Sequence, residues 1–266
     1  MLRSASELHD YVIAATDGDI GHVKDFYFDD HSWVIRYLVV NTGSWLAGRR
    51  VLISPIALGT PQWSDRRLPV SISRQQVRSS PDIDTDRPVS RQQEQDYYGY
   101  YGYPYYWGGI GTWGGGYYPG FLQPGLRQVD FPPEHGMSRA QRARAAAEDP
   151  NLRSCSEVIG YHIDAIDGDI GHVASMLVDE QSWAIRYLVV DTSNWWGGHQ
   201  VLIAPEWISG VEWASRQVTV GLTRQAVKDS PDYRSTEELN RLAEAGLFAH
   251  YGREAYWAAD TPHAPW

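Results

Sequence analysis

The sequence predicts a mainly β fold of two tandem small antiparallel β-barrels, each followed by a short helix and joined by a Tyr/Gly-rich linker. Two observations carry that expectation. Shifting the 266-residue chain by 150 aligns residues 2–82 with 152–232 without a gap and with roughly half the positions identical, which marks an internal duplication. Within each copy, runs of Val, Ile, Trp and Tyr are separated by Gly, Asp, Asn and Pro clusters, and helical periodicity is absent. The expected organisation is residues 1–85 for the first barrel, 86–150 for a helix and linker, 151–234 for the second barrel, and 235–266 for a C-terminal helix and tail.

Each element has its own signal. Asp17-Gly18 and Asp167-Gly168, between apolar flanks, predict tight hairpin turns with a left-handed residue. Phe26 and Phe28 alternate with Asp25, Tyr27 and Asp29, and Met176 and Val178 hold the same face in the second copy, so one face points inward. Val34 to Val40 is apolar on both faces except at Arg36, which predicts a strand covered on both sides. Pro55 and Pro205 stop the strands before them, because proline donates no ladder hydrogen bond. A module of roughly eighty residues buries a modest fraction of its surface, and closure into a barrel removes exposed edges.

Ser90-Arg91-Gln92-Gln93 and Ser235-Thr236-Glu237-Glu238 have the capping-box spacing and predict a helix after each barrel. In the second, Leu239, Leu242, Ala243 and Leu247 make an apolar face that ends before Gly252. Asp96 to Gly120 reads as a low-complexity aromatic linker. It either stacks on a partner or on bases, with Tyr100 and Tyr105 as candidates, or drapes over the barrels and hides their apolar strands. Ser138 to Glu148, with Arg139, Arg142 and Arg144, predicts a short helix with a solvated basic face.

The words Asp19-Ile20-Gly21-His22-Val23, Ile35 to Val40 and Val51 to Pro55 recur in order as Asp169 to Val173, Ile185 to Val190 and Val201 to Pro205. This ordered set resembles the PRC-barrel family. The family includes the cytoplasmic domain of the photosynthetic reaction-centre H subunit and the C-terminal domain of a ribosomal maturation factor. It also includes many small stand-alone bacterial and archaeal proteins, and the chain resembles that last kind in tandem form. The resemblance implies binding or assembly modules without a shared catalytic residue set. By analogy with the reaction-centre subunit, His22 and His172 are candidates for a proton relay.

A formal net charge of −10 opposes general attraction to nucleic acid or anionic lipid. One cysteine, Cys155, permits no intrachain disulfide and no zinc cluster, which fits a reducing cytoplasm. Met1 to Asp10 does not read as a secretory signal, and no run of about eighteen apolar residues suggests a transmembrane segment. No Gly-x-Ser-x-Gly, phosphate-binding glycine loop or dinucleotide fingerprint is present, and Cys155 has no local pattern naming its base.

The metal-like clusters are Asp17, Asp19 and His22 with their twins Asp167, Asp169 and His172; the alternative is a polar hairpin turn followed by one outward histidine. The spacing is not that of an EF-hand loop, because Gly21 holds its fifth position. Arg36 and Arg186 interrupt the most apolar strand and need a carboxylate or carbonyl partner, in a structural ion pair or with a ligand. Trp45 and Trp195, in glycine-containing loops, either anchor a partner or pack over the barrel mouth. The function expected is non-enzymatic protein binding or scaffolding, without a cofactor. The two barrels are expected to pair about a pseudo-twofold axis as a fused homodimer would, with homo-oligomerisation open. The alternatives are an RNA- or ribosome-associated assembly factor, a reaction-centre H-subunit-like accessory protein, and a hydrolase or redox enzyme with its site in an inter-barrel cleft.

Overall fold

The computed structural model describes residues 1–83, 89–106, 152–192, 199–234 and 239–257. The chain divides into two units, neither of which coincides with one sequence repeat. One contains Met1–Glu7, Cys155–Gln181 and Ile185–Trp266; the other contains Leu8–Ser154 and Ser182–Ala184. Both are mainly β, as the sequence predicts.

In chain order the strands begin with β1 (Leu2–Ser4), β2 (Val12–Ala15), β3 (Gly18–Asp29), β4 (Val34–Asn41), β5 (Arg50–Ile53) and β6 (Arg67–Pro69). The second half supplies β7 (Leu152–Ser154), β8 (His162–Ala165), β9 (Gly168–Asp179), β10 (Ile185–Asp191), β11 (Gln200–Ile203), β12 (Ile208–Glu212) and β13 (Gln217–Val220). The helices are α1 (Arg74–Arg78), α2 (Arg91–Tyr101), α3 (Cys155–Val158), α4 (Arg224–Lys228) and α5 (Arg241–His250).

Among the described residues the first-repeat unit has a six-stranded sheet, ordered β5-β4-β3-β2-β6 with β7 paired to β3. The Asp17-Gly18 hairpin forms as predicted, with Gly18 at φ +133°, a region that side chains resist. Gly21 serves a different need. A Cβ there would lie 1.9 Å from the carbonyl oxygen of Asn41, so the crossing of β3 and β4 closes only over a glycine. The second copy repeats the constraint, at 2.0 Å between a Cβ on Gly171 and the carbonyl oxygen of Asp191. A bulge between Ile13 and Ala14 accompanies this close approach.

Phe26 and Phe28 are fully buried, in keeping with their alternation, and every residue from Val34 to Val40 is buried. Tyr37 and Val39 pack beneath Tyr97 and Tyr98 of α2, which covers one face of β4, while alternation sends Leu38 and Val40 to the other. Pro55 ends β5 and starts a 3-10 turn. The pairing is antiparallel except at β2 and β6, which run parallel, as β8 and β13 do in the second-repeat unit.

That unit has a seven-stranded sheet among the described residues, ordered β11-β10-β9-β8-β13-β12 with β1 paired to β9. Each repeat thus places its first strand in the sheet built from the other repeat. Leu2, Arg3 and Ser4 pair with Asp179, Val178 and Leu177, and Leu152, Arg153 and Ser154 pair with Asp29, Phe28 and Tyr27. Side chains fix the register. Arg153 bonds Asp30 at 2.9 Å and Ser154 donates to Asp25 at 2.5 Å, while Arg3 bonds Glu180 at 3.2 Å and Ser4 meets Ser175 at 2.7 Å.

A helix follows each set of strands as the sequence predicts, while the short helices α1, α3 and α4 go beyond that expectation. Ser90 caps α2 in a full capping box. The second helix starts later than the Ser235 signal suggests: Asn240 caps α5 through the backbone N–H of Ala243, and residues 235–238 lie outside the described residues. Leu242, placed by the sequence on the apolar face, is 83% exposed, because Glu244, Leu247 and Phe248 form the buried side. The segment read as a linker from Asp96 contributes the last two turns of α2, whose Tyr97 and Tyr98 are core residues. The expectations for Gly108 to Gly120 and for a helix over Ser138 to Glu148 fall outside the described residues.

Candidate functional site

Helix α2 carries Glu94, Tyr97, Tyr98 and Tyr101 at i, i+3, i+4 and i+7, one face of a helix. That face lies on β4, and it brings a carboxylate into the core. Glu94 is 2% exposed. Its Oε1 accepts hydrogen bonds from the hydroxyls of Tyr37 at 3.0 Å and Tyr106 at 2.6 Å, and its Oε2 meets the Arg91 guanidinium at 2.8 Å. Arg91 also donates to the Tyr106 hydroxyl at 3.2 Å. Arg36, 3% exposed, stacks over the Tyr106 ring at 4.1 Å, donates to Ser32 at 2.9 Å and lies 3.8 Å from Asp29.

Burial dominates the electrostatics. It pushes the Glu94 carboxyl up to about 7 against the opposing pull of Arg91, Tyr106 and Tyr37. The Tyr37 and Tyr106 phenols are raised for the same first reason, with the Glu94 charge adding to it. Burial also lowers Arg36, opposed chiefly by Asp29. Glu94 is thereby poised to hold or release a proton near neutrality.

The second-repeat unit contains the same arrangement. Glu244, 3% exposed, accepts from Tyr187 at 2.9 Å and Tyr256 at 2.9 Å and pairs with Arg241 at 3.1 Å. Arg186 lies over the Tyr256 ring at 4.1 Å and 3.8 Å from Asp179. The repeat thus extends beyond Asp82 and Asp232. The string Arg91-x-x-Glu94, Tyr101-Gly102, Tyr106-Trp107 recurs as Arg241-x-x-Glu244, Tyr251-Gly252, Tyr256-Trp257 at the same shift of 150. Sequence reasoning passed over these residues, although that spaced string was available to find them.

Among the sequence candidates, Arg36 and Arg186 enter the clusters. Trp45 is half-buried; its indole N–H donates to the Ile20 carbonyl, and Arg74 stacks on its ring at 4.3 Å. Trp195 lies outside the described residues. Tyr100 is 41% exposed and donates to the Gln76 carbonyl at 2.8 Å, whereas Tyr105 sits 6.0 Å from the Tyr98 ring.

The metal-like triads do not converge. Asp17 accepts from the Arg74 backbone at 2.6 Å, Asp19 pairs with Arg67, and His22 faces the Asp10 carbonyl at 3.2 Å. Asp167 repeats the first of these with Arg224 at 2.7 Å, and Asp169 and His172 lie along β9. Among the described residues no three His, Cys, Asp or Glu side chains gather to hold a metal.

Residues 5–64 match the PRC-barrel domain family, the stretch that contains β2 to β5. That stretch of the first repeat is a PRC-barrel domain. Its family match ends before α2, so the Glu94 cluster joins PRC-barrel strand β4 to a helix beyond the matched residues. The second repeat lies outside the match and reproduces the strand order of the first-repeat sheet, β5-β4-β3-β2-β6, as β11-β10-β9-β8-β13. No curated protein matches the chain.

Proposed function

We propose that the chain is a non-enzymatic protein-binding or scaffolding protein that presents a PRC-barrel unit and its duplicate to one partner. The carrying observation is an aromatic patch repeated on both units. The half-buried Trp63 meets the buried Tyr11 edge-on at 6.2 Å with the exposed Arg66 5.3 Å from the Tyr11 ring, and the half-buried Trp213 meets the buried Tyr161 at 6.2 Å, three residues before the exposed Arg216. Trp, Tyr and Arg are the residues on which protein interfaces concentrate their energy. Two equal patches in one chain gain by avidity. A cytoplasmic setting belongs to this reading and is supported by cysteine usage: the 266 residues hold a single cysteine, the buried Cys155. Among the described residues no helix is long and apolar enough to cross a membrane.

Quantitative cross-linking in native cells tests the proposal, comparing the wild-type chain with Trp63→Ala, Trp213→Ala and the double variant. A reproducible protein partner, weakened by either single change and lost in the double, supports it. An unchanged partner set in the double variant, or no reproducible partner for the wild type, contradicts it.

A further inference from the structure

The first-repeat unit is richer in tyrosine than its duplicate at matching positions. The positions of Tyr97, Tyr98, Tyr100, Tyr103 and Tyr105 are held in the second repeat by Leu247, Phe248, His250, Arg253 and Ala255. Leu247 and Phe248 are 3% and 2% exposed, as buried as Tyr97 and Tyr98. Apolar side chains therefore seat that helix as deeply; Tyr97 offsets the desolvation of its hydroxyl by donating to the Leu52 carbonyl at 3.1 Å and accepting from the Ser54 N–H at 3.0 Å, so the burial of tyrosine at these positions is not required by the helix's seating alone.

The rings form a continuous path. Tyr100 lies 4.9 Å from Tyr101, Tyr101 4.8 Å from Tyr97, Tyr97 5.8 Å from Tyr98, and Tyr98 5.9 Å from Tyr106, centre to centre. One end is the exposed Tyr100. The other is Tyr106, whose hydroxyl donates to Glu94 at 2.6 Å beneath the Arg36 guanidinium.

We propose that these residues form a redox-active tyrosine relay, which accepts an oxidising equivalent from a one-electron oxidant at Tyr100 and holds it as a neutral radical on Tyr106. Electrons pass from ring to ring toward Tyr100, and the oxidant gains one. At Tyr106 one electron leaves, the O–H bond breaks, and the proton moves to Oε1 of Glu94, leaving a phenoxyl radical and a neutral carboxylic acid. The Arg36 cation 4.1 Å above the ring opposes a radical cation there, so proton loss accompanies electron loss. A one-electron reductant reverses both transfers. The relay does not depend on the binding role proposed above.

The test uses the full chain with a ruthenium polypyridyl photo-oxidant quenched by persulfate, followed by time-resolved absorption and electron paramagnetic resonance. Glu94→Gln keeps an acceptor oxygen but takes no proton, and it shortens the radical's life by roughly a hundredfold, the low end of what a positioned proton acceptor contributes. All variants are compared in a Tyr256→Phe background, which silences the matching site of the duplicate, and there Tyr106→Phe removes the long-lived signal. A chain in which Tyr97, Tyr98, Tyr100, Tyr103 and Tyr105 take the second repeat's residues loses it too. Should circular dichroism show that this multiple variant is unfolded, Tyr100→Phe, at an exposed position, replaces it and slows radical formation on Tyr106. A radical lifetime equal with and without Glu94→Gln, or a radical unaffected by Tyr106→Phe, overturns the relay; so does formation unchanged in whichever of the last two variants is folded.

Discussion

The Tyr37 hydroxyl on β4 donates to the Glu94 carboxylate on α2 at 3.0 Å, and Tyr187 makes the same bond to Glu244 on α5 at 2.9 Å. Donor and acceptor are 57 residues apart in both cases. In each unit this bond ties a helix late in the repeat to an inner strand formed early in it. A buried carboxylate survives there because two phenols and a guanidinium converge on it.

Removing that carboxylate should be costly. Glu94→Ala leaves the Tyr37 and Tyr106 hydroxyls and the Arg91 cation without their shared acceptor and is expected to cost about 3 kcal/mol, the scale of breaking one side of a buried pair. Glu94→Gln keeps an acceptor and costs less. Glu244→Ala is milder, because its Arg241 partner is 58% exposed and can be hydrated. Urea unfolding followed by tryptophan fluorescence separates the three.

The protonation of Glu94 couples stability to pH. Its folded value of about 7 is raised above the ordinary 4.5, so the folded chain binds more protons than the unfolded one between those limits. Its contribution is fully present below about 4.5 and is lost as pH rises through about 7. The difference in unfolding free energy between wild type and Glu94→Gln should fall by on the order of 2 kcal/mol from about pH 5 to about pH 8. A difference independent of pH sinks this assignment.

Much of the sheet was legible because strand physics is local. The alternation at Phe26 and Phe28, the glycine at the hairpin, and the proline after β5 each state a constraint that a neighbouring backbone imposes. The partner of β1 was not legible. Leu2-Arg3-Ser4 and Leu152-Arg153-Ser154 are identical strings, and the strands they meet are close copies, so pairing within a repeat and exchange between repeats satisfy the same local pattern. Glu94 was hidden for another reason. It sits among Arg91, Gln92, Gln93, Gln95 and Asp96, a polar string just inside the predicted helix with no apolar residue to mark an inward face, and only the tyrosines three and four residues on show that its face points inward. Tyr97 and Tyr98, which open the run Tyr97-Tyr98-Gly99-Tyr100-Tyr101-Gly102, read as low complexity although they form a helix face.

Glycine at the β3–β4 crossing is the least replaceable residue of the first sheet. Gly21→Ala places a methyl on the Asn41 carbonyl and should destabilise by more than about 4 kcal/mol, the range reserved for severe local conflict. Gly43→Ala has open space around it and only its φ of +62° to oppose the change, so it should cost about 1 kcal/mol. Thermal unfolding of the two variants checks the contrast; equal losses would contradict it.

The reciprocal placement of β1 and β7 is the central structural claim, and it is testable by cutting the chain. A specific protease site inserted after residue 130 allows cleavage of the folded protein into its two repeats, followed by size-exclusion chromatography under native conditions. Exchange predicts that the halves co-elute at the mass of the uncut chain, because each sheet keeps a strand from the other half, and that they separate only in denaturant. Halves that part in native buffer and stay folded, each with its own first strand paired in its own sheet, would contradict the account.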